Sequence, residues 1–214
     1  MTIVRRAGAN PAAGAVGLVG PGDLWHVARS MGATMMNPPP SGWELRVARL
    51  VAVGIVGPRT LSGEAETWTR AELERLLAEA TAGATTRRIL VSLASPLEHR
   101  IATHAQEDGF ELDAIVPSEN FAATFEDPAA RATFTSLLAG ATDRTTLTYR
   151  EPSDAALAGA ATYILHYADV VLVILDEDES VRPDRGAGIV EEAQVHRRRL
   201  VVIDPRERVV SRPV

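Results

Sequence analysis

Cysteine is absent from the 214 residues, and so is lysine; all 22 basic side chains are arginine. The first absence excludes disulfide scaffolds, thiolate metal sites and cysteine nucleophiles. The second excludes a Walker-type phosphate lysine, a Schiff-base lysine and a lysine nucleophile. No apolar run approaches the ~20 residues that a membrane span needs. Residues 1–20 carry Arg5 and Arg6 and then turn apolar, but Gly and Pro break the run, so neither a secretory leader nor a membrane association is expected and a cytoplasmic location is. No histidine pair has metal-ligand spacing, and the acidic run Asp176-Glu177-Asp178-Glu179 lacks the alternation and central Gly of a calcium loop. No metal and no cofactor are expected. The formal net charge of −6 offers no basic stripe, so nucleic acid is not the expected partner. Arginines do gather at Arg197 to Arg199 and from Arg206 to Arg212, where the end of a last helix and a tail account for them.

What is present is an ordinary globular balance, 46% hydrophobic and 23% charged, in a chain long enough for one domain with additions. Three stretches are expected: a Gly- and Ala-rich extension over 1–45, either an extra βα unit on the sheet edge or a partly ordered leader, one domain over 46–205, and a tail over 206–214. Leu50 to Val56 and Asp169 to Leu175 are continuous apolar runs, the mark of strands buried on both faces. Shorter strands are expected over Ile89–Leu93, Leu112–Val116 (ending at Pro117), Leu147–Tyr149 and, closing the sheet, Leu200–Ile203. Helices fall between them. One is expected to open on a Thr69/Glu72 capping box, and one on Ser95 with Pro96 and Glu98. Others open at Asp127-Pro128, at Ser153 or Asp154, and after a glycine turn at 186–188. Strict alternation of strand and helix predicts an α/β fold, Rossmann-like and doubly wound, with a mainly parallel sheet.

In such a sheet a ligand binds beyond the carboxyl ends of the strands, where strand order reverses. The residues just past the strands are therefore the candidates: Gly57, Pro58 and Arg59; Ser95; Asp176; and Gly186, Ala187, Gly188 and Ile189. Glycine lets backbone approach a ligand, helix N-termini offer unpaired N–H groups, and Arg59 can grip a phosphate with two bonds. Glu98, Glu191 and Glu192 are the candidate catalytic acids, although a capping role explains Glu98 and the helix dipole explains the other two. His99 opens a helix facing the same end and is a weaker candidate. His166, at the other end of the sheet, reads as structural.

These features, in this order, resemble the superfamily that unites DprA/Smf proteins with the LOG-type "lysine decarboxylase-like" phosphoribohydrolases. Val53-Gly54-Ile55-Val56-Gly57-Pro58-Arg59 looks like their opening strand, which ends in Gly-(Ser/His)-Arg. Leu93-Ala94-Ser95-Pro96-Leu97-Glu98 stands where many members have Leu-Ala-x-Gly-Ala-Asp. Gly186-Ala187-Gly188-Ile189-Val190-Glu191-Glu192 resembles their Gly-Gly-x-Gly-Thr-x-x-Glu turn, and the resemblance runs from about Val51 to Pro205. It implies a nucleotide-type small-molecule ligand and a homodimer. It also implies either binding alone or cleavage of an N-glycosidic bond by Glu191 or Glu192 with Glu98 as partner, as in phosphoribohydrolases or deoxyribosyltransferases. A DprA-like DNA-binding or assembly role is the third implication. Ile189 replaces the threonine, Pro96 a glycine and Arg185 the first glycine of the LOG motif, and the arginine-bearing helix motif has no counterpart. Ligand binding survives these departures better than catalysis.

Overall fold

The computed structural model describes residues 48–176 and 185–213; the expectations for residues 1–47 and for the acidic run 177–184 lie outside them. Strand β1 (Leu50–Val56) is followed by helix α1 (Gly63–Ala80), β2 (Thr86–Val91), α2 (Pro96–Glu107) and β3 (Glu111–Ser118). A 3-10 turn (Phe121–Thr124), α3 (Pro128–Gly140), β4 (Asp143–Tyr149), α4 (Asp154–Tyr167) and β5 (Val170–Ile174) come next. Helix α5 (Arg185–Val195), β6 (Leu200–Asp204) and β7 (Val209–Ser211) complete the order. The seven strands line up as β4-β3-β2-β1-β5-β6-β7, all parallel except β7, which runs antiparallel on the edge. The chain moves outward from β1 to β4 and then returns to β5 on the other side of β1. Strand order therefore reverses between β1 and β5.

The apolar runs form strands because both faces are covered. Val51, Val53 and Ile55 point into a core closed by Leu73, Leu76 and Leu77 of α1, Ala102 of α2 and Phe134 of α3. Ala52 and Val56 point to the opposite side, under Ala160, Ala161 and Ile164 of α4 and Ile189 and Ala193 of α5. On that second side α4 lies so close that a Cβ at Gly54 would run into Ile164 Cγ2 and stand 3.0 Å from the Cβ of Ala168. Asp169 ties the bottom of β5 to β1, its carboxylate accepting from the Ala52 amide at 2.8 Å while its own amide donates to the Ala52 carbonyl.

The doubly wound α/β fold expected from the alternation is the fold found. Three local expectations are corrected. Thr69 does not open a helix: α1 starts nearly two turns earlier, capped by the Ser62 hydroxyl, and Thr69 is buried inside it. β3 does not end at Pro117 but passes through it, where the ladder with β4 shifts register between Val116 and Ser118 and no amide is needed. Nor does β6 close the sheet, because a turn at 205–208 brings Val209 to Ser211 back along it.

Candidate functional site

The reversal point between β1 and β5 opens, at the carboxyl ends of the strands, into a cleft of about 560 Å³. Its floor is Val56 at the end of β1, Gly57 just after it, and Ile174 from β5. One wall is the loop after β1, Pro58 to Thr60; the other is Pro152, Ser153, Asp154 and Leu157, where β4 feeds into α4. Phe121 and Thr124 of the 3-10 turn and Asp176 after β5 complete the rim. The volume suits a small organic ligand, since such pockets span ~300–1,000 Å³.

Each wall has a local cause. Gly57 needs no left-handed backbone; Ile174 is its neighbour across the reversal point, and an added Cβ would press on Ile174 Cδ1 at 3.3 Å. Ser153 takes extended backbone as the N-cap of α4, and its hydroxyl accepts from the Ala156 amide at 3.1 Å. The first turn of this 14-residue helix therefore faces the cleft with the positive end of its dipole. Arg59 is exposed on the opposite wall. Asp154 and Asp176 add two carboxylates to the rim, so the cleft presents a cation and a helix N-terminus together with acceptors for hydroxyl or amino groups.

Ser95 and Glu98 border a separate hollow of only about 20 Å³, which shares Gly57, Pro58 and Arg59 with the cleft. Space of that order holds about one water. Glu98 is buried, and its carboxylate accepts from the Ser92 hydroxyl at 2.7 Å and from the Ala94 amide at 2.5 Å. Ser95 is the N-cap of α2 and accepts from the Glu98 amide. Here the reciprocal cap is as expected from sequence, with the carboxylate reaching one residue further back.

The same corner stores a backbone constraint. Leu93 is fully buried with φ of 52°, a region that costs a non-glycine residue ~1–2 kcal/mol. Its carbonyl accepts from His99 Nε2 at 3.0 Å. His99 is itself buried, 5.0 Å from the Phe125 ring and 6.1 Å from Phe134, and burial pushes its pKa down. A neutral imidazole with its proton on Nε2 fits these contacts. His99 thus pins the β2–α2 turn from inside the core.

The remaining sequence candidates lie elsewhere. The expected glycine turn is absent as a turn: Arg185, Gly186, Ala187 and Gly188 already belong to helix α5, with Gly188 exposed beside open space; the side chains of 185–187 are outside the described residues. Ile189 is buried against the sheet in the α4–α5 core and offers nothing to a ligand. Glu191 is exposed. Glu192, two turns along α5, accepts from Thr162 Oγ1 at 3.0 Å and faces His166 at 3.6 Å, toward the amino ends of the strands. Neither acid is among the residues lining the cleft. Of the sequence candidates, the structure brings together Gly57, Pro58, Arg59 and Asp176. It adds Ser153, Asp154, Phe121 and Thr124, which sequence reasoning passed over. Ser153 carried a readable signal, an N-cap directly after a strand.

No family model and no curated protein matches this chain. Among solved structures, DNA processing protein A (DprA) from Streptococcus pneumoniae is similar at a TM-score of 0.52 and 17% identity, over 72% of this chain and 50% of that one. A second DprA structure, from Helicobacter pylori, is described as binding single-stranded DNA; it gives a TM-score of 0.49 and 14% identity over 71% of this chain and 64% of that one. This chain therefore spans half to two-thirds of the length of these proteins. The Rossmann-like fold expected from the sequence is the fold observed, and the Streptococcus pneumoniae DprA structure shares it. One expectation is overturned. Net charge had set nucleic acid aside as a partner, yet a solved structure that shares the fold is that of a DNA processing protein. A sum over the whole chain says nothing of where Arg59 and a helix N-terminus converge.

Among the described residues no helix is long and apolar enough to cross a membrane.

Proposed function

We propose that the cleft between β1 and β5 binds a nucleotide unit, free or carried in a single strand of nucleic acid, and that its role is binding rather than catalysis. The observation that carries the reading is the convergence of Arg59, the α4 N-terminus and Gly57 on one cleft of about 560 Å³ at the strand-order reversal. Arg59 and the first-turn amides of α4 suit a phosphate. Asp154 and Asp176 suit sugar hydroxyls or base amino groups, and the Phe121 edge of the rim gives a base an apolar neighbour. The likeness in fold to a DNA processing protein favours a strand as the source of that unit. The three acids expected to cleave an N-glycosidic bond are not placed for it: Glu98 accepts from Ser92 and Ala94, and neither Glu191 nor Glu192 lines the cleft.

Fluorescence anisotropy with a labelled oligothymidylate, competed by unlabelled strand and by mononucleotides, tests this across a salt series. Binding should weaken with salt and fall about tenfold in Arg59→Ala, which corresponds to about 1.4 kcal/mol. Competition by the mononucleotide alone would make the ligand a free nucleotide. No binding by either at low salt, or an Arg59→Ala variant that binds like wild type, would overturn the assignment. Release of free base or ribose phosphate from a nucleotide panel would restore the enzyme.

A further inference from the structure

The seam between α4 and α5 holds three side chains that neither the cleft nor the core employs. His166 in the last turn of α4, Glu192 in α5 and His196 just after α5 offer two ring nitrogens and one carboxylate oxygen, all within 4.8 Å of one another. We propose that these three residues form a binding site for a divalent transition-metal ion of the zinc class.

The donor set is the first argument. Two imidazoles and one carboxylate are a recurring combination for zinc and its first-row neighbours, and three protein ligands leave a position open for water. Geometry is the second. Glu192 and His196 are four residues apart, and the His196 amide donates to the Glu192 carbonyl at 3.0 Å, which keeps both on one side of the helix end. His166 Nε2 already stands 3.6 Å from Glu192 Oε1, and the two imidazoles meet edge to face at 5.0 Å between centroids. Donors ~2.1 Å from a tetrahedral ion lie roughly 3.4 Å apart, so rotamer adjustments of about an ångström close the site.

The surroundings are the third argument. Thr162 Oγ1 donates to Glu192 Oε2, which orients the carboxylate and leaves Oε1 turned to the histidine. That is the arrangement outer partners impose on metal ligands. The site adjoins the C-terminal turn of α4, whose carbonyls favour a cation. Arg198 donates to the His166 carbonyl at 2.9 Å and so anchors the ligand's backbone. All three ligands are at least partly exposed, so an ion can enter. An ion here would clasp α4 to α5 at the amino-terminal end of the sheet, independently of the cleft. Sequence spacing alone hides the site, because His166 and Glu192 are 26 residues apart and meet only through packing.

The test is calorimetric titration of the chelator-stripped, tag-free full chain with Zn²⁺, together with Co²⁺ absorption as a report on ligand geometry. One Zn²⁺ per chain should bind with micromolar or tighter affinity, raise the melting temperature, and be removed by EDTA. Glu192→Gln, which keeps shape, and the His166→Asn/His196→Asn double variant should each weaken binding by at least about tenfold. Both should melt like stripped wild type without metal. No heat and no Co²⁺ spectrum in the wild type would overturn the site. So would wild-type zinc affinity in the double variant.

Discussion

Gly54 is where one side chain decides how the sheet and a helix fit. With α4 seated directly on β1, an alanine there must displace Ile164 and press on Ala168 in a core that has no slack. Gly54→Ala should lower stability by about 1–3 kcal/mol, read from urea unfolding at an unchanged m-value. His99 presents the opposite case, a polar ring that the core uses. Its replacement by alanine leaves a void beside Phe125 and Phe134 and frees the Leu93 carbonyl. A loss of about 2–4 kcal/mol in the same assay is expected. The chain signalled Gly54 only as one glycine in an apolar run. That it meets α4, a hundred residues on, is a fact of packing that no local pattern contains.

At the scale of elements, local chemistry was the better guide. Ser95, Asp127 and Ser153 each cap the helix they precede, because a short side-chain oxygen can satisfy first-turn amides only at that position. Ser153→Ala should cost about 1 kcal/mol of stability in thermal unfolding. Because the first turn of α4 also lines the cleft, it should weaken oligothymidylate binding as well. The misread boundaries have physical reasons too. The Thr69/Glu72 pair carries the same letters as a cap, yet Ser62 does the capping, its hydroxyl accepting from the Ala65 amide. Pro117 reads as a stop, but a strand tolerates it where the ladder shifts and no partner asks for its amide. The arginine-only composition shows its use here. Arg100 spans α1 and α2 by holding both oxygens of Glu66, and Arg75 bridges Glu72 and Glu79 along α1, pairings that suit a planar fork.

For the whole molecule, pH dependence of stability is the sum of its perturbed groups, and two of them oppose each other. Asp113 sits on β3 beside Arg88, with Glu111 and Asp143 close by. Burial, set against the attraction of Arg88, and then the two neighbouring acids raise its pKa from 3.8 to about 6. The native state thus keeps a proton that the unfolded chain releases, and Asp113 costs stability as pH rises from about 4 to 6. His99, lowered by burial, acts the other way. Below pH 6.5 the unfolded chain takes up a proton that the native ring refuses, so stability falls on acidification. Asp113→Asn should therefore stabilise relative to wild type at pH 7, by on the order of 2 kcal/mol. That gain should shrink toward pH 4.5, a trend that denaturant midpoints at the two pH values check.

The sequence by itself determined the kinds of elements and their order. Apolar runs that must be covered on both faces can only be inner strands of a parallel sheet, and caps and glycines punctuate the helices between them. It also determined which end of the sheet to search, since the residues just past Val56 and Ile174 belong to the cleft. Only the tertiary structure decided which residues meet. It put Gly57 against Ile174 and set Ser153 and Asp154 on the same cleft as Arg59. It also carried Glu192 two turns down α5, away from the cleft and into the company of His166 and His196. A motif records distance along the chain, whereas a site needs distance in space. In a doubly wound sheet the crossover helices set that second distance.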